Sequence, residues 1–223
     1  MEEKEIIALW KAQDVKLQQS LAINLQVLKA LQIQKAQTNL QALVRIKSRG
    51  IFALAIYLIF LGAALIYAIT QYSPAANYFI ISISAIFLIN LIALAYYIKH
   101  LAWVNNIYYE ESITSMQQKL SRLQLSIIQH LRILCLQLPF WTTFSLSNKW
   151  FPASVGWGFL IFQIVVTGSF TYGAYWLYKN QTIKNADKKW FKKLMAGSGN
   201  ESVRQAIVFL KEIDEFKKDV SAL

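Results

Sequence analysis

The chain has one cysteine, three prolines and eight glycines in 223 residues. A lone Cys135 excludes a disulfide framework and a cysteine-pair zinc site. So little proline and glycine excludes collagen-like and loop-rich scaffolds. Charge is scarce too: 16% of the residues are Asp, Glu, Lys or Arg, against about 25% in an average soluble domain. Acids are the scarcer sign, 12 against 23 bases. Hydrocarbon is what the chain has in surplus. Hydrophobic residues make up 56% and aromatics 14%, which excludes intrinsic disorder.

A helix needs about 20 apolar residues to cross about 30 Å of hydrocarbon at about 1.5 Å per residue. Residues 51–72, 78–98 and 155–178 meet that length without a charge. A weaker segment, 133–148, has 16 residues and contains Pro139. It reads either as a thin span with Arg132 and Lys149 snorkelling at its ends, or as a re-entrant or surface helix. Outside these four segments, 22 of the 23 Lys and Arg and all 12 acids fall on 1–50, 99–132 and 179–223. Those three regions share one face only if all four segments cross. The excess of Lys and Arg then places that face, with both termini, in the cytoplasm. Aromatics sit where interfacial belts belong: Tyr72, Tyr78, Trp150 and Trp157 outside, Tyr96, Tyr97, Trp103, Trp176 and Tyr178 inside. The opening Met1-Glu-Glu-Lys-Glu5 is acidic where a cleavable signal needs positive charge, so the first span is expected to act as an uncleaved anchor. The expected fold is all-α: a four-helix membrane domain over 51–178, carrying long cytoplasmic helices.

Residues 2–48 lack glycine and proline and are rich in strong helix formers. Trp10, Leu17, Leu21, Leu25, Leu28 and Leu31 recur at helical spacing, and Gly50 is read as marking the start of the membrane. In the linker 99–132, Ile113, Met116, Leu120, Leu123 and Ile127 follow a 3-4-3-4 spacing, a coiled-coil-like seam over about two heptads. Its expected partner is the 10–31 region, within one protomer or between two. The tail carries two amphipathic helices. Residues 184–195 place Trp190, Phe191, Leu194 and Met195 on one face, flanked by Lys184, Lys188, Lys189, Lys192 and Lys193. That pattern predicts a helix lying on anionic lipid headgroups. Residues 201–220 follow Gly197-Ser-Gly-Asn200, with Ser198 and Glu201 spaced as a capping box. Their apolar face, Val203, Ile207, Leu210 and Ile213, either folds back or receives a soluble partner.

Chemistry is sparse. The spans hold no ionisable residue, and their strongly polar members are Asn90, Gln137 and Gln163. Hydrogen bonds between helices account for these; a path for a transported solute is the other reading. His100, His130, Glu110 and Glu111 share the inner loop, but the two histidines have no metal-ligand spacing and adjacent glutamates point to different helix faces. No catalytic, cofactor-binding or metal-binding residue is expected. Gly197-x-Gly199 follows no strand and is a linker. The bases alternate with acids, which speaks against direct nucleic-acid binding.

Ala8-Leu-Trp-Lys-Ala-Gln-Asp14, Lys16-Leu-Gln-Gln-Ser-Leu-Ala-Ile-Asn24 and Lys188-Lys-Trp-Phe-Lys-Lys-Leu194 resemble a family of small four-span bacterial inner-membrane proteins. Members are often encoded beside extracytoplasmic-function sigma factors. The resemblance implies a bacterial inner-membrane location and a regulator that antagonises a sigma factor; it carries over no functional residues. The expected function is a non-enzymatic membrane tether that binds a soluble cytoplasmic protein through apolar helix faces, self-association being a further possibility. A small transporter or channel is the alternative.

Overall fold

Residues 2–49 offer a growing helix no stopping signal, since they contain neither glycine nor proline. The resulting helix α1 (Glu2–Thr70) runs unbroken through Gly50, about 100 Å at 1.5 Å per residue. Gly50, read in the sequence as the start of the membrane, lies within this continuous helix. It makes room: a Cβ there would lie 2.5 Å from the Tyr97 ring. The computed structural model describes residues 2–107 and 112–221, with side chains over 7–11, 13–107, 112–213 and 215. Glu110 and Glu111 lie outside the described residues.

Ser73 caps a single 3₁₀ turn at Pro74–Ala76, its Oγ accepting from the Ala75 amide. α2 (Asn77–Asn105) then returns alongside α1. Ser112 caps α3 (Ile113–Cys135) in the same way, accepting from Ser115 N. Pro139 cannot donate to the carbonyl four residues back, and α3 stops at Cys135. A series of turns and the short α4 (Phe140–Thr143) follow. α5 (Trp157–Asn180) is the next long helix, and the tail holds α6 (Lys189–Leu194) and α7 (Asn200–Ser221). The described residues form helices and turns, with no strand among them. Three helices are long and apolar enough to cross a membrane: α1, α2 with its leading turn, and α5. This is an all-helical membrane protein.

The 133–148 segment is not a continuous helix. Its backbone closes i→i+3 turns instead, Leu136 to Ile133, Leu138 to Cys135, Phe140 to Gln137 and Leu146 to Thr143 among them. Its side chains are tied to the neighbouring helices at successive levels. Arg132 Nε donates to the Gln181 carbonyl at 2.6 Å, just beyond the end of α5. Asn90 Nδ2 donates to Gln137 Oε1 at 2.8 Å. Further along, Ser82 and Thr143 share a 2.8 Å hydrogen bond, and Ser147 Oγ donates to the Ala75 carbonyl at 2.9 Å. The segment therefore runs antiparallel to α2 from Asn90 to Ala75.

Two cores result. The small one, Leu61, Ile83 and Ile86 with Phe87, Phe140 and Phe144 against them, lies among the apolar helices. The large one joins α1, α3, α6 and α7 at the charged end. There the 113–127 seam is wholly buried, packed on α7 and α2, in one cluster with Val203, Ala206, Leu210 and Ile213 of α7, Val104 of α2 and Ala36, Leu40 and Leu43 of α1. The 10–31 region, its expected partner, stays exposed at Trp10, Leu17, Val27 and Leu31. Spacing identifies a buried face without saying which other face will meet it.

Candidate functional site

Four regions were singled out by sequence. The first is the apolar face of the last helix. α7 begins one residue after Gly199, whose φ of +85° lies where side-chain-bearing residues are strained. A Cβ at Gly199 would also stand 2.0 Å from Leu43 Cδ1, so the chain presses directly onto α1 there. The capping box does not form. Ser198 accepts from Asn200 N and donates to the Met195 carbonyl, a turn set by the positive φ of Gly197 and Gly199. Glu201 turns instead to Arg204, at 2.8 Å. From this start Val203, Leu210 and Ile213 go into the core, with Ile207 packed at its edge. Gln32 Nε2 donates to Glu212 Oε2 at 2.6 Å and adds a polar tie to α1. The face expected to await a partner is covered by the chain's own helices.

The second region is the basic helix. α6 is shorter than the expected 184–195, and its apolar residues divide. Phe191 and Met195 enter the large core, while Trp190 packs on Trp176 of α5 with ring centroids 5.1 Å apart. An available protein core removes those rings from water as well as a lipid boundary would. Lys188, Lys189, Lys192 and Lys193 remain exposed. Phe191 and Met195 are therefore not part of an outward apolar face, contrary to the expected lipid-facing helix.

The third region is the set of polar residues within the apolar helices. Asn90 bonds Gln137 and the Ile86 carbonyl; Gln163 Nε2 donates to the Thr142 carbonyl at 2.8 Å and to Thr167 Oγ1. They join neighbouring segments rather than lying free along a path. Beside them a cleft of about 390 Å³ is lined by Gly50, Leu54, Tyr57, Asn90, Tyr97 and Gln137.

The fourth region was found only in part. His100 and His130, which the sequence places at the inner loop without metal-ligand spacing, are both fully buried, and Lys47 is buried with them at 2% exposure. His130 stacks on Tyr96 at 5.4 Å and meets the edge of Tyr97 at 5.0 Å; the two imidazoles are 6.0 Å apart. The Lys47 ammonium lies 4.3 Å from the centre of the Tyr97 ring. His100 Nε2 bonds Ser126 Oγ at 3.0 Å, but His100 Nδ1 and both nitrogens of His130 have no partner among the described residues. Burial first and the Lys47 charge second push the His130 imidazole down to about 3. Sequence spacing could not reveal this group, because Lys47 arrives from a different helix and reads as one more topogenic base. Among the described residues no three His, Cys, Asp or Glu side chains are grouped to hold a metal ion.

No family model, no curated protein and no solved structure matches the chain. The class defined by the fold is that of an all-helical membrane protein with its larger hydrophobic core at the charged end.

Proposed function

We propose that the protein is a bacterial inner-membrane tether with four spans and both termini in the cytoplasm, holding a soluble regulatory protein at the membrane. A sigma factor is the partner class that the family resemblance suggests. The observation carrying the proposal is the free arm of α1. Ile7, Trp10, Leu17, Ile23, Val27 and Leu31 are all about half exposed or more, along the N-terminal part of α1. Apolar side chains in that setting are normally covered by a partner helix or groove.

The four-span topology is supported by the hydrogen bonds that lead 133–148 from the end of α5 to the start of α2. Turns closed at i+3 rise about 2.0 Å per residue against about 1.5 Å in an α-helix, so the turns on either side of α4 lengthen the reach of 133–148. The polar residues of the spans are occupied with each other, which gives the transporter alternative no support.

The test is a photo-crosslinking residue at Leu17 or Val27 in the full chain, in intact cells. A crosslink to a soluble protein from these positions, absent when the probe sits at lipid-facing Phe60, is the expected result. Crosslinks only to a second copy, or to lipid alone, contradict the tether reading.

A further inference from the structure

The cleft between α1, α2 and the 133–148 segment holds polar groups that the fold leaves unpaired. Asn90 Nδ2 is spent on the Ile86 carbonyl and on Gln137 Oε1. Among the described residues no hydrogen bond reaches Asn90 Oδ1 or Gln137 Nε2, so each carboxamide is only half used. Tyr57 lines the same cleft, and its hydroxyl is enclosed without a partner among the described residues. An enclosed hydroxyl is normally bonded, because an unpaired one gives up its hydration for nothing in return. The wider groove beside α5, about 670 Å³, differs in this respect. Its Thr143, Gln163 and Thr167 are already bonded to Ser82, to Thr142 and to each other.

Depth and access narrow what can fill the cleft. Gly50 and Tyr97 line its end nearest the charged bundle. Tyr57 and Asn90 each lie two turns further along their helices into the apolar runs, about 10 Å at 1.5 Å per residue. Ala53 on the rim is exposed, and so are its α1 neighbours Phe52 and Ile56, so the opening faces the bilayer. No charged residue lines the cleft. Lys47, one turn before Gly50, is enclosed with its ammonium against the Tyr97 ring. A charged headgroup drawn in to this depth would find no counter-ion. A bare acyl chain would leave Tyr57, Asn90 and Gln137 as they are, with nothing to bond.

We propose that this cleft binds an uncharged lipid whose head carries carbonyl or hydroxyl oxygens, a chemistry shared by membrane quinones and diacylglycerol. A carbonyl oxygen of the head accepts from the Tyr57 hydroxyl or from Gln137 Nε2, and a hydroxyl donates to Asn90 Oδ1. The tail leaves past Ala53 into the bilayer. A volume of about 390 Å³ is within the range of pockets that hold small ligands. Binding ties α1, α2 and 133–148 together where only the Asn90–Gln137 bond links the last two at this level. The site lies in the membrane half and does not rest on the tether reading.

The test uses the full chain in phosphatidylcholine nanodiscs doped in turn with menaquinone, diacylglycerol or phosphatidylglycerol. A saturable rise in melting temperature is expected with menaquinone or with diacylglycerol, and whichever raises it names the source. Tyr57→Phe removes one hydroxyl and no bond of the empty protein, so without added lipid it should melt no lower than the parent. It should need roughly tenfold more of the same lipid for the same rise. Tyr172→Phe, the same change in the groove beside α5, should behave as the parent. No rise with either uncharged lipid, or an equal rise in Tyr57→Phe, overturns the site. A rise with phosphatidylglycerol that depends on Tyr57 overturns the uncharged chemistry. If Tyr57→Phe does not fold, Ala53→Trp at the exposed rim decides: it must abolish the rise, and an undiminished one overturns the proposal.

Discussion

The apolar helices and the charged-end bundle solve the same problem against different solvents. In the most apolar windows of α1 and α5, only 11% and 6% of residues are buried within the chain. Ile59, Phe60, Ile66 and Tyr67 face outward at 66–71% exposure. At the charged end, Met116, Leu120, Leu123, Ile127, Phe191, Val203, Leu210 and Ile213 are almost completely enclosed. In lipid an outward Phe loses nothing by its exposure, because the surroundings are as apolar as a protein interior. In water the same ring must be covered. The membrane half is thus held by insertion and a few interhelical hydrogen bonds, and the bundle by close packing.

That contrast is open to direct attack. Leu120→Ala or Leu123→Ala should each lower stability by about 2–5 kcal/mol, since both lie in a filled core. Ile59→Ala and Phe60→Ala should each stay within about 0.5 kcal/mol of the parent. Thermal melting in one detergent checks all four, and equal losses in the two regions would erase the distinction.

Next in size is acid sensitivity, which should belong to the bundle alone. His130 is held deprotonated in the folded protein and titrates normally once exposed, so stability is full above about pH 6.5 and is lost as pH falls toward 3. The loss should approach 1.4 kcal/mol per pH unit for this imidazole, measured by melting between pH 7 and pH 5. The slope should shrink in His130→Phe.

A third, smaller effect is expected at Gly199. Gly199→Ala forces a Cβ against Leu43 and an L-residue into positive φ, with a cost of roughly 1–3 kcal/mol. Protease cutting within α7 should accelerate accordingly. The smallest effect belongs to the membrane half: Asn90→Leu removes the hydrogen bond to Gln137, and interhelical bonds of this kind average about 0.6 kcal/mol.

Much of this was legible in the sequence. Uncharged runs mark the apolar helices because composition alone decides what can sit in lipid. The 113–127 spacing marks a buried face because burial at one edge of a helix requires that period. The partner of that face was not legible. The 10–31 region, the tail helix and 36–43 all offer apolar residues at helical spacing, and only the way α1 runs past the bundle selects between them. Lys47 shows the same limit at the level of one residue. In sequence it is one of three bases among Arg45, Lys47 and Arg49; in the fold it alone is turned inward, where Gly50 lets Tyr97 close over it. The lysines of 188–193 were readable as an exposed basic face, but not the diversion of Phe191 into the core, which depends on space left between α1, α3 and α7.

The account depends most on the bundle lying on one side of the membrane and the α4–α5 connection on the other. Single cysteines at Ser121 and Ser154, both exposed, in a Cys135→Ser chain, test this with a membrane-impermeant maleimide on intact cells. Ser154→Cys should label at once and Ser121→Cys only after the membrane is opened. Labelling of both positions from the same side would mean that 133–148 does not cross, and would contradict the four-span arrangement.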